Sequence, residues 1–445
     1  MDRLSDLPDE LLLGILSLLP TTDVVTTMVL SKRWKFLWTF VPRLEYDHAM
    51  YQDGKEWRFS RFVYSSLLLH EAPVLEHLSF ILHQKTAAIG IGVCVRTAIK
   101  RSLRKLQIVI DDCSDETIHP VILPSSLYTG CRMLVTLVLS NLVLMDSSST
   151  VCFPSLKSLV LVSINYPTNS FVPRFLSGCP VLENLFVERC LGDNGGLFVI
   201  RVACLKVLSY RITSDFVGDG FLIDAPSLEL MDVVAETSGF CGIEHNMPKI
   251  EVANVLVHCS HTKQILSSLT SLEKLELCLM TSKDAYPEGI IFSRLVELTL
   301  CTCGPEWLNL LLRLLKDSPK LRNLKLQQVH RNGSMNPMPS WNEPSDVPRC
   351  LLSSLETVEW SQYEGREEEI EVVLFILRNS ARLKMATFHP KSTDPKEKLE
   401  MLTKLSMSPR SSTICHLNFG RGTFTVRDLF YDHRVIKRLG ACSLG

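Results

Sequence analysis

The sequence predicts an α/β repeat protein, in which a small all-α segment precedes a curved stack of parallel strands. Two observations predict this fold class. A Leu-x-x-Leu-x-Leu pattern of apolar residues recurs along most of the 445 residues, whereas residues 1–47 place their apolar side chains at helical spacing. The composition, 46% hydrophobic and 21% charged, is typical of a chain that buries an extensive core.

The repeated pattern has thirteen copies, in which Val, Ile, Met, Phe, Tyr, Trp or, once, Ala replaces Leu. Most successive copies are separated by the roughly 20–29 residues of a leucine-rich repeat. One copy could arise in a leucine-rich helix or a buried strand, but thirteen in near-register predict a repeat architecture. The copies are Leu75/Leu78/Phe80, Leu103/Leu106/Ile108, Leu134/Leu137/Leu139, Leu156/Leu159/Leu161, Leu182/Leu185/Val187, Leu205/Leu208/Tyr210, Leu228/Met231/Val233, Val252/Val255/Val257, Leu272/Leu275/Leu277, Leu295/Leu298/Leu300, Leu321/Leu324/Leu326, Leu355/Val358/Trp360 and Leu383/Ala386/Phe388.

Strand geometry explains the spacing. The second and third apolar positions are two residues apart, so both point into the core, and the residues between them point outward. The rest of each repeat, such as Phe171 to Cys179 or Trp307 to Asp317, is expected to return the chain as a helix or an irregular turn. One repeat cannot bury its own apolar face, so neighbouring repeats must stack. We therefore predict a curved leucine-rich repeat solenoid with a parallel sheet over residues 48–340.

A large α/β enzyme with parallel strands is the alternative fold. It would need a glycine-rich phosphate-binding turn after a strand, which Gly90-Ile91-Gly92-Val93 does not supply. The sequence has no G-x-S-x-G, Walker or H-E-x-x-H motif either. We therefore expect no catalytic residues.

Two groups of potential metal ligands lack the spacing of zinc sites. His258-Cys259-Ser260-His261 and Cys301-Thr302-Cys303 do not contain the paired C-x-x-C or H-x-x-x-H arrangement. Cysteine is also a small hydrophobic residue that fills space at strand ends. The sequence therefore predicts neither a metal nor a cofactor.

The charge and hydropathy exclude several partners. A formal net charge of −1 gives no global field to hold nucleic acid or an anionic membrane. The longest apolar run, Met133 to Met145, is shorter than the ~20 residues of a membrane span, and the first residues do not resemble a signal peptide. We expect an intracellular protein, in the nucleus and/or the cytoplasm, whose cysteines are reduced and whose partners are proteins.

Residues 1–47 predict three short helices. Leu7-Pro8-Asp9-Glu10 opens the first, with Asp6 as the expected N-cap and Pro8 in the first turn, and Pro20 ends it. Thr22-Asp23 are expected to cap the second helix, and Ser31 to Trp38 forms a basic and aromatic third stretch. Apolar residues recur at helical spacing within the first helix: Leu11, Leu12, Ile15, Leu16 and Leu19.

This segment resembles a plant F-box in its Leu7-Pro8, Ile15-Leu16, Leu19-Pro20, Asp23-Val24-Val25, Leu30-Ser31 and Lys32-Arg33-Trp34 motifs. The resemblance implies a three-helix unit that docks onto the Skp adaptor of Skp–cullin–F-box ubiquitin ligases. Leu12, Leu19 and Leu37 could instead only hold the helices together, and each apolar residue could serve either role. The resemblance places seven residues at or just behind the adaptor interface: Leu7, Pro8, Ile15, Leu16, Val24, Val25 and Trp34.

The segment after residue 340 has its own signature. Trp341-Asn-Glu-Pro344, Val347-Pro-Arg-Cys350, Tyr363-Glu-Gly365 and a helix from Glu367 to Asn379 resemble the FBD domain that ends many plant F-box proteins with leucine-rich repeats. We expect residues 341–419 to cap the open end of the solenoid. Glu367 to Glu369 are expected to compensate the helix dipole. Residues 420–445 follow no pattern and are left unassigned.

Together these segments predict a non-catalytic substrate adaptor, whose F-box binds the Skp-type adaptor and through it the cullin ligase. The target, of unknown identity, should bind outward-facing strand residues, with Phe186, Glu188, Arg211, Glu276 and Lys325 as candidates. One alternative is an interaction scaffold that does not engage cullin. Another is a small-molecule receptor like the auxin receptors, although no concentrated basic cluster lines these strands.

Overall fold

The computed structural model describes residues 7–50, 56–83, 91–111, 123–146, 150–189, 193, 196–212, 218–235, 239–258, 262–279, 286–304, 306–328 and 341–420. The chain divides into two compact units, Met1–Leu205 and Lys206–Gly445.

The first unit begins with three short helices, α1 (Asp9–Leu16), α2 (Thr21–Thr26) and α3 (Trp34–Leu37). Single 3-10 turns at Thr27–Val29 and Trp38–Phe40 follow α2 and α3. The predicted helices are present, but their starts differ from the prediction. Pro8 and Pro20 are the N-cap residues of α1 and α2, so Thr22 and Asp23 lie inside α2. The expected N-cap Asp6 lies outside the described residues.

Parallel strands follow the helices in the first unit. They occur in the spatial order β1 (Arg43–Asp47), β2 (His77–His83), β3 (Lys105–Asp111), β4 (Thr136–Val143), β5 (Ser158–Asn165) and β6 (Asn184–Arg189), and a short further strand is β7 (Phe198–Arg201). The connecting segments contain the helices α4 (Glu56–Leu69), α5 (Ile91–Ile99), α6 (Ser126–Gly130) and α7 (Phe171–Ser177).

One column of leucines explains why these strands stack. Each inward position of a strand is paired with the same position of the next, so the side chains form a continuous buried row. Every member is at most 1% exposed. The row is Leu44, Leu78, Leu106, Leu137, Leu159 and Leu185.

The second unit repeats this arrangement. Its parallel sheet has the order β8 (Val207–Ile212), β10 (Leu230–Ala235), β12 (Val252–Val257), β13 (Lys274–Leu279), β14 (Glu297–Cys301), β15 (Asn323–Gln327), β16 (Thr357–Tyr363), β17 (Met385–Pro390) and β18 (His416–Phe419). A separate parallel pair consists of β9 (Gly220–Asp224) and β11 (Phe240–Ile243). The helices are α8 (Thr262–Ser268), α9 (Trp307–Asp317), α10 (Arg349–Ser353), α11 (Glu367–Asn379) and α12 (Pro395–Ser406).

The second and third positions of all thirteen predicted copies lie on strands of these parallel arrays, which confirms the α/β repeat prediction. The copy Val252/Val255/Val257 was placed two residues too late, because Ala253 and Val255 are the residues of β12 paired with Met231 and Val233. The predicted helix Glu367–Asn379 is present with the same bounds, and the return segment Trp307–Asp317, expected as a helix or an irregular turn, is a helix. Five strands were not predicted: β1 at the end of the expected F-box, β18 at the end of the expected FBD, and the short strands β7, β9 and β11. Among the described residues, no helix is long and apolar enough to cross a membrane.

Candidate partner-binding surfaces

The three N-terminal helices share a small apolar core. Leu12 and Leu16, which are one helical turn apart in α1, pack against side chains that follow from the other helices. Each member of the core is at most 5% exposed. The core consists of Leu12, Leu16, Val24, Trp34, Leu37, Trp38 and Val41.

A second set of apolar side chains on these helices faces outward. Leu11 and Ile15 lie on one stripe of α1, about 100° around the helix from the buried pair, and Leu18 continues the same spacing in the turn after α1. Leu18 is 82% exposed and Val29, in the turn that contacts α2 and α3, is 84% exposed. Large apolar side chains clustered at a surface indicate an interaction site. We call this set the N-terminal apolar surface: Leu11, Ile15, Leu18, Leu19, Met28, Val29, Leu30 and Phe36.

Polar contacts hold this surface in place. The guanidinium of Arg33 is ion-paired with Asp9 and donates a hydrogen bond to the backbone carbonyl of Leu7 at 2.6 Å. These contacts join the start of α1 to the residue that precedes α3. The backbone N–H of Glu45 in β1 donates to the Thr21 hydroxyl at 2.6 Å, which joins α2 to the first strand. The helix cluster is thereby attached to the sheet of the first unit.

The predicted adaptor-binding residues divide between the core and the surface. Leu16, Val24 and Trp34 lie in the buried core, so they can support an interface but do not present their side chains to a partner. Leu7 and Val25 are partly buried against that core. Pro8 and Ile15 are exposed.

The residues that could instead hold the three helices together are also divided between the core and the surface. Leu12 and Leu37 are buried in the core, whereas Leu19 is 39% exposed. Sequence reasoning did not single out Leu18, Val29 or Phe36, which are among the most exposed apolar side chains of the cluster. The position of Leu18 on the same stripe as Leu11 and Ile15 was the signal that could have found it.

On the first unit, the outward strand face carries both polar and apolar side chains. Phe186 on β6 is paired with Val160 on β5, and Glu188 is paired with Val162. Phe186 and Glu188 are both half-buried, and the alternation along β6 turns them away from the leucine column. The strand end is fixed by the buried Arg189, whose Nε lies 2.6 Å from Asp193 Oδ2. Both candidates therefore lie on the predicted outward face.

On the second unit, the candidate Arg211 is engaged by a neighbouring strand. Asp232 Oδ2 accepts hydrogen bonds from Arg211 Nη2 at 2.7 Å and from Ser209 Oγ at 2.8 Å. Asn254 Nδ2 donates to the other carboxylate oxygen of Asp232 at 2.9 Å. A partner that binds Arg211 would therefore compete with Asp232 for the guanidinium.

Glu276 and Lys325 lie on the same outward row, separated by Thr299. Glu276 Oε1 accepts a hydrogen bond from Gln327 Nε2 at 2.9 Å. Burial raises the pKa of Glu276 to about 7, against the lowering effect of that hydrogen bond. Lys325 Nζ lies 3.3 Å from Glu359 Oε1, in a half-exposed ion pair. This row carries both signs of charge and a carboxyl group that is partly protonated near neutral pH.

Family models match three regions of the chain. The F-box domain model matches residues 4–46, and the FBD model matches residues 343–388. Between them, a model described as "FBD-associated F-box protein At5g56370, LRR repeats" matches residues 91–268. The three matches occur in the order that the sequence predicted.

Full-length relatives from Arabidopsis thaliana are similar to the chain. Probable FBD-associated F-box protein At1g32375 is 51% identical over 423 residues, which cover 94% of this chain and 100% of the relative. F-box/FBD/LRR-repeat protein At5g56420 is 49% identical over 424 residues, covering 94% of this chain and 99% of the relative. By its fold, its three matched regions and these relatives, the chain belongs to the plant family of F-box proteins with leucine-rich repeats and an FBD domain.

Proposed function

We propose that this protein is the substrate-recognition subunit of a Skp–cullin–F-box ubiquitin ligase. F-box proteins with leucine-rich repeats and an FBD are generally substrate adaptors of such ligases. In this proposal the N-terminal apolar surface binds the Skp-type adaptor, the outward strand faces bind the protein to be ubiquitinated, and catalysis belongs to other chains. The protein would act where its ligase is, in the nucleus and/or the cytoplasm.

The observation that carries the proposal is the exposure of the N-terminal apolar surface. The helix cluster already has a closed core, so Leu11, Ile15 and Leu18 are not needed to fill it. Burying one such side chain against a partner contributes about 1.5–3 kcal/mol before the costs of association are subtracted. Several such side chains buried together would offset the costs of association.

Substrate binding would promote ubiquitin transfer through proximity alone. A target held on the outward strand face is kept at a high effective concentration near the conjugating enzyme that the ligase recruits. The half-buried Phe186 is the candidate apolar anchor on the first unit, and the row of Glu276 and Lys325 offers polar contacts on the second. Such a mixture suits a protein surface better than DNA.

Binding to a purified Skp-type adaptor tests the proposal. Leu18→Asp places a charge in the apolar interface, and we expect it to weaken the affinity at least about 10-fold. Met407→Asp is the matched control, since Met407 on the second unit is also 82% exposed and should leave the affinity unchanged. Isothermal titration calorimetry gives both affinities.

A second variant tests the predicted motif itself. Replacing Leu7 and Pro8 together by Ala should also abolish capture of the protein by the immobilised adaptor. If the wild-type protein does not bind under conditions in which another F-box protein does, the ligase assignment is wrong and a scaffold function replaces it. Equal losses for Leu18→Asp and Met407→Asp would show that the N-terminal apolar surface is not the docking site.

A further inference from the structure

Three cysteines from two neighbouring repeats meet on the outward face of the second unit. Cys278 lies in β13, Cys301 is the last residue of β14, and Cys303 follows two residues later. The Sγ atoms of Cys301 and Cys303 are 2.8 Å apart, and those of Cys278 and Cys303 are 3.4 Å apart. All three sulfur atoms lie within 4.8 Å of one another. We call this group the thiol cluster.

The parallel register brings the thiol cluster together. Glu276 is paired with Thr299 and Leu277 with Leu300, so the next residues, Cys278 and Cys301, are adjacent. The chain then turns towards β15, where the backbone N–H of Thr302 donates to the carbonyl of Gln327 at 2.9 Å. This turn brings Cys303 back to the other two thiols.

Two members of the thiol cluster are almost completely buried, whereas Cys303 is half-buried. Cys278 is 1% exposed and Cys301 is 4% exposed, and both pack with Leu256, whereas Val234 and Cys303 close the group from the side. The pKa of Cys278 is held well above its ordinary value by hydrogen bonds with Cys301 and Cys303, and then by burial. The protonated thiols are therefore favoured, because thiolates this close in an apolar setting repel one another.

We propose that Cys278, Cys301 and Cys303 form a binding site for one thiophilic d10 metal ion, Zn²⁺ or Cu⁺. Thiolate sulfur is the ligand that both ions prefer. A Zn–S bond of about 2.3 Å sets two bound sulfur atoms about 3.8 Å apart, which these separations reach after small side-chain shifts. The ion takes the place of the thiol protons, which pass to solvent, and no group is oxidised or reduced.

The donor number fits both ions in different ways. Three sulfur atoms complete a trigonal Cu⁺ site, whereas Zn²⁺ would take water as its fourth ligand. A bound cation would also reverse the repulsion among the thiolates, as cations do where they are the largest local charge. The proposal is independent of adaptor binding, because the thiol cluster lies in the second unit and the F-box in the first.

Metal titration of the full-length protein tests the site. Protein purified with a phosphine reductant and stripped of metal is titrated with Zn²⁺ in competition with a chromophoric chelator, and separately with Cu⁺ against bicinchoninate without oxygen. We expect one equivalent of the preferred ion to bind tightly. The competition with the better-bound ion identifies which of the two the site takes, and Co²⁺ should give a thiolate charge-transfer band.

Cys303→Ser is the decisive variant, because Cys303 lies two residues beyond β14 and is only half-buried, so its replacement should leave the fold intact. Loss of a direct ligand should weaken binding by more than the roughly 10–100-fold that loss of an outer-shell partner causes. Cys241→Ser is the matched control, since Cys241 is a buried cysteine of the same unit outside the thiol cluster. Circular dichroism checks the folding of both variants.

Two results would overturn the proposal. One is equal metal affinity in the wild-type protein and the Cys303→Ser variant, which would assign the bound ion to other groups. The other is an intact mass lower by two hydrogen atoms after purification without reductant, with no metal bound under reducing conditions. That outcome would make the thiol cluster a disulfide-forming pair with a third cysteine beside it.

Discussion

The outward strand face raises the pKa of one carboxyl group, that of Glu276. Its side chain lies in β13 beside Gln327, with Lys325 and Lys274 lowering its pKa and Asp232 raising it, but burial outweighs the two lysines. The pKa of about 7 is therefore a property of the stacked strands and not of the residue alone.

The free energy of unfolding should depend on pH through Glu276. Between the ordinary pKa of a carboxyl group and about 7, the folded protein holds a proton that the unfolded chain has lost. Stability therefore falls as pH rises through this window. Between about pH 5 and pH 8, the free energy of unfolding should decrease by about 1–3 kcal/mol less in the Glu276→Gln variant than in the wild-type protein. Urea denaturation at each pH measures this difference.

Glu297→Gln serves as the control for this measurement. Glu297 is on the neighbouring strand β14, and its half-exposed side chain lies 3.4 Å from Lys274 in a surface ion pair. Such pairs contribute little to stability, so this variant should keep the pH dependence of the wild-type protein. Parallel stability curves for wild type and Glu276→Gln would show that Glu276 does not titrate in this range.

At the scale of single elements, the start of α11 is fixed by a buried glutamate. Glu369 accepts hydrogen bonds from the backbone N–H groups of Glu364 at 3.0 Å, Gly365 at 2.8 Å and Arg366 at 3.3 Å. Gly365 has a φ of +71°, and an added Cβ there would lie 2.9 Å from Met401 Cγ. The glutamate run was predicted to compensate the helix dipole, and one of its members also caps the helix.

Removing this cap should destabilise the second unit. We expect Glu369→Ala to lower the free energy of unfolding by about 1–2 kcal/mol, because three backbone donors lose their partner. Glu367→Ala changes an exposed member of the same run and should have an effect of only about 0.5 kcal/mol. Chemical denaturation of the two variants distinguishes capping from the dipole effect, and equal losses would exclude capping.

The elements that the sequence predicted are those with an unbroken apolar period. Three of the strands outside the copies, β7, β9 and β11, replace expected helices or turns, since a short return segment has no period that distinguishes a strand from a turn. Strand β1 carries the repeat pattern as Val41/Leu44/Tyr46 and β18 carries it as Ile414/Leu417/Phe419. Neither strand was predicted, because the residues of β1 were assigned to the F-box and those of β18 to the FBD.

The sites were less predictable than the elements. Ile15 is exposed, but Leu16 beside it is buried, and the sequence placed both at the adaptor interface. The thiol cluster lacks the spacing of a zinc motif because Cys278 and Cys301 approach one another across strands. A repeat converts a separation of more than twenty residues into direct contact, which a search for short motifs does not detect.

On the scale of the whole molecule, the apolar face at the end of each repeat is buried by the next repeat. In the second unit, Trp360 of β16 packs edge-on against Trp307 of α9 with ring centroids 5.7 Å apart. The Cys350 thiol, at the start of α10, donates to the carbonyl of Leu315 at 3.0 Å. The segment after residue 340 therefore covers the repeat that precedes it, which supports a capping role for the FBD.

Truncation should reveal this dependence. A chain that ends at Gln328 leaves the ladder edge of β15 and the ring of Trp307 uncovered, so we expect a lower melting temperature and aggregation. Trp360→Ala in the full chain isolates one contact and should lower the free energy of unfolding by about 3–5 kcal/mol. Size-exclusion chromatography and thermal unfolding measure both effects, and a monomeric truncation product with unchanged melting would refute the capping role.

The leucine column has an evolutionary consequence. Inward and outward side chains alternate along each strand, so a substitution at a half-buried outward position such as Val162 leaves Leu159 of the column and its stacked neighbours where they are. The inward residues of a strand thus specify the fold and the outward residues are free to specify recognition, although both lie within the same few codons. Gene copies can acquire new specificities by changing one set while the other continues to specify the scaffold.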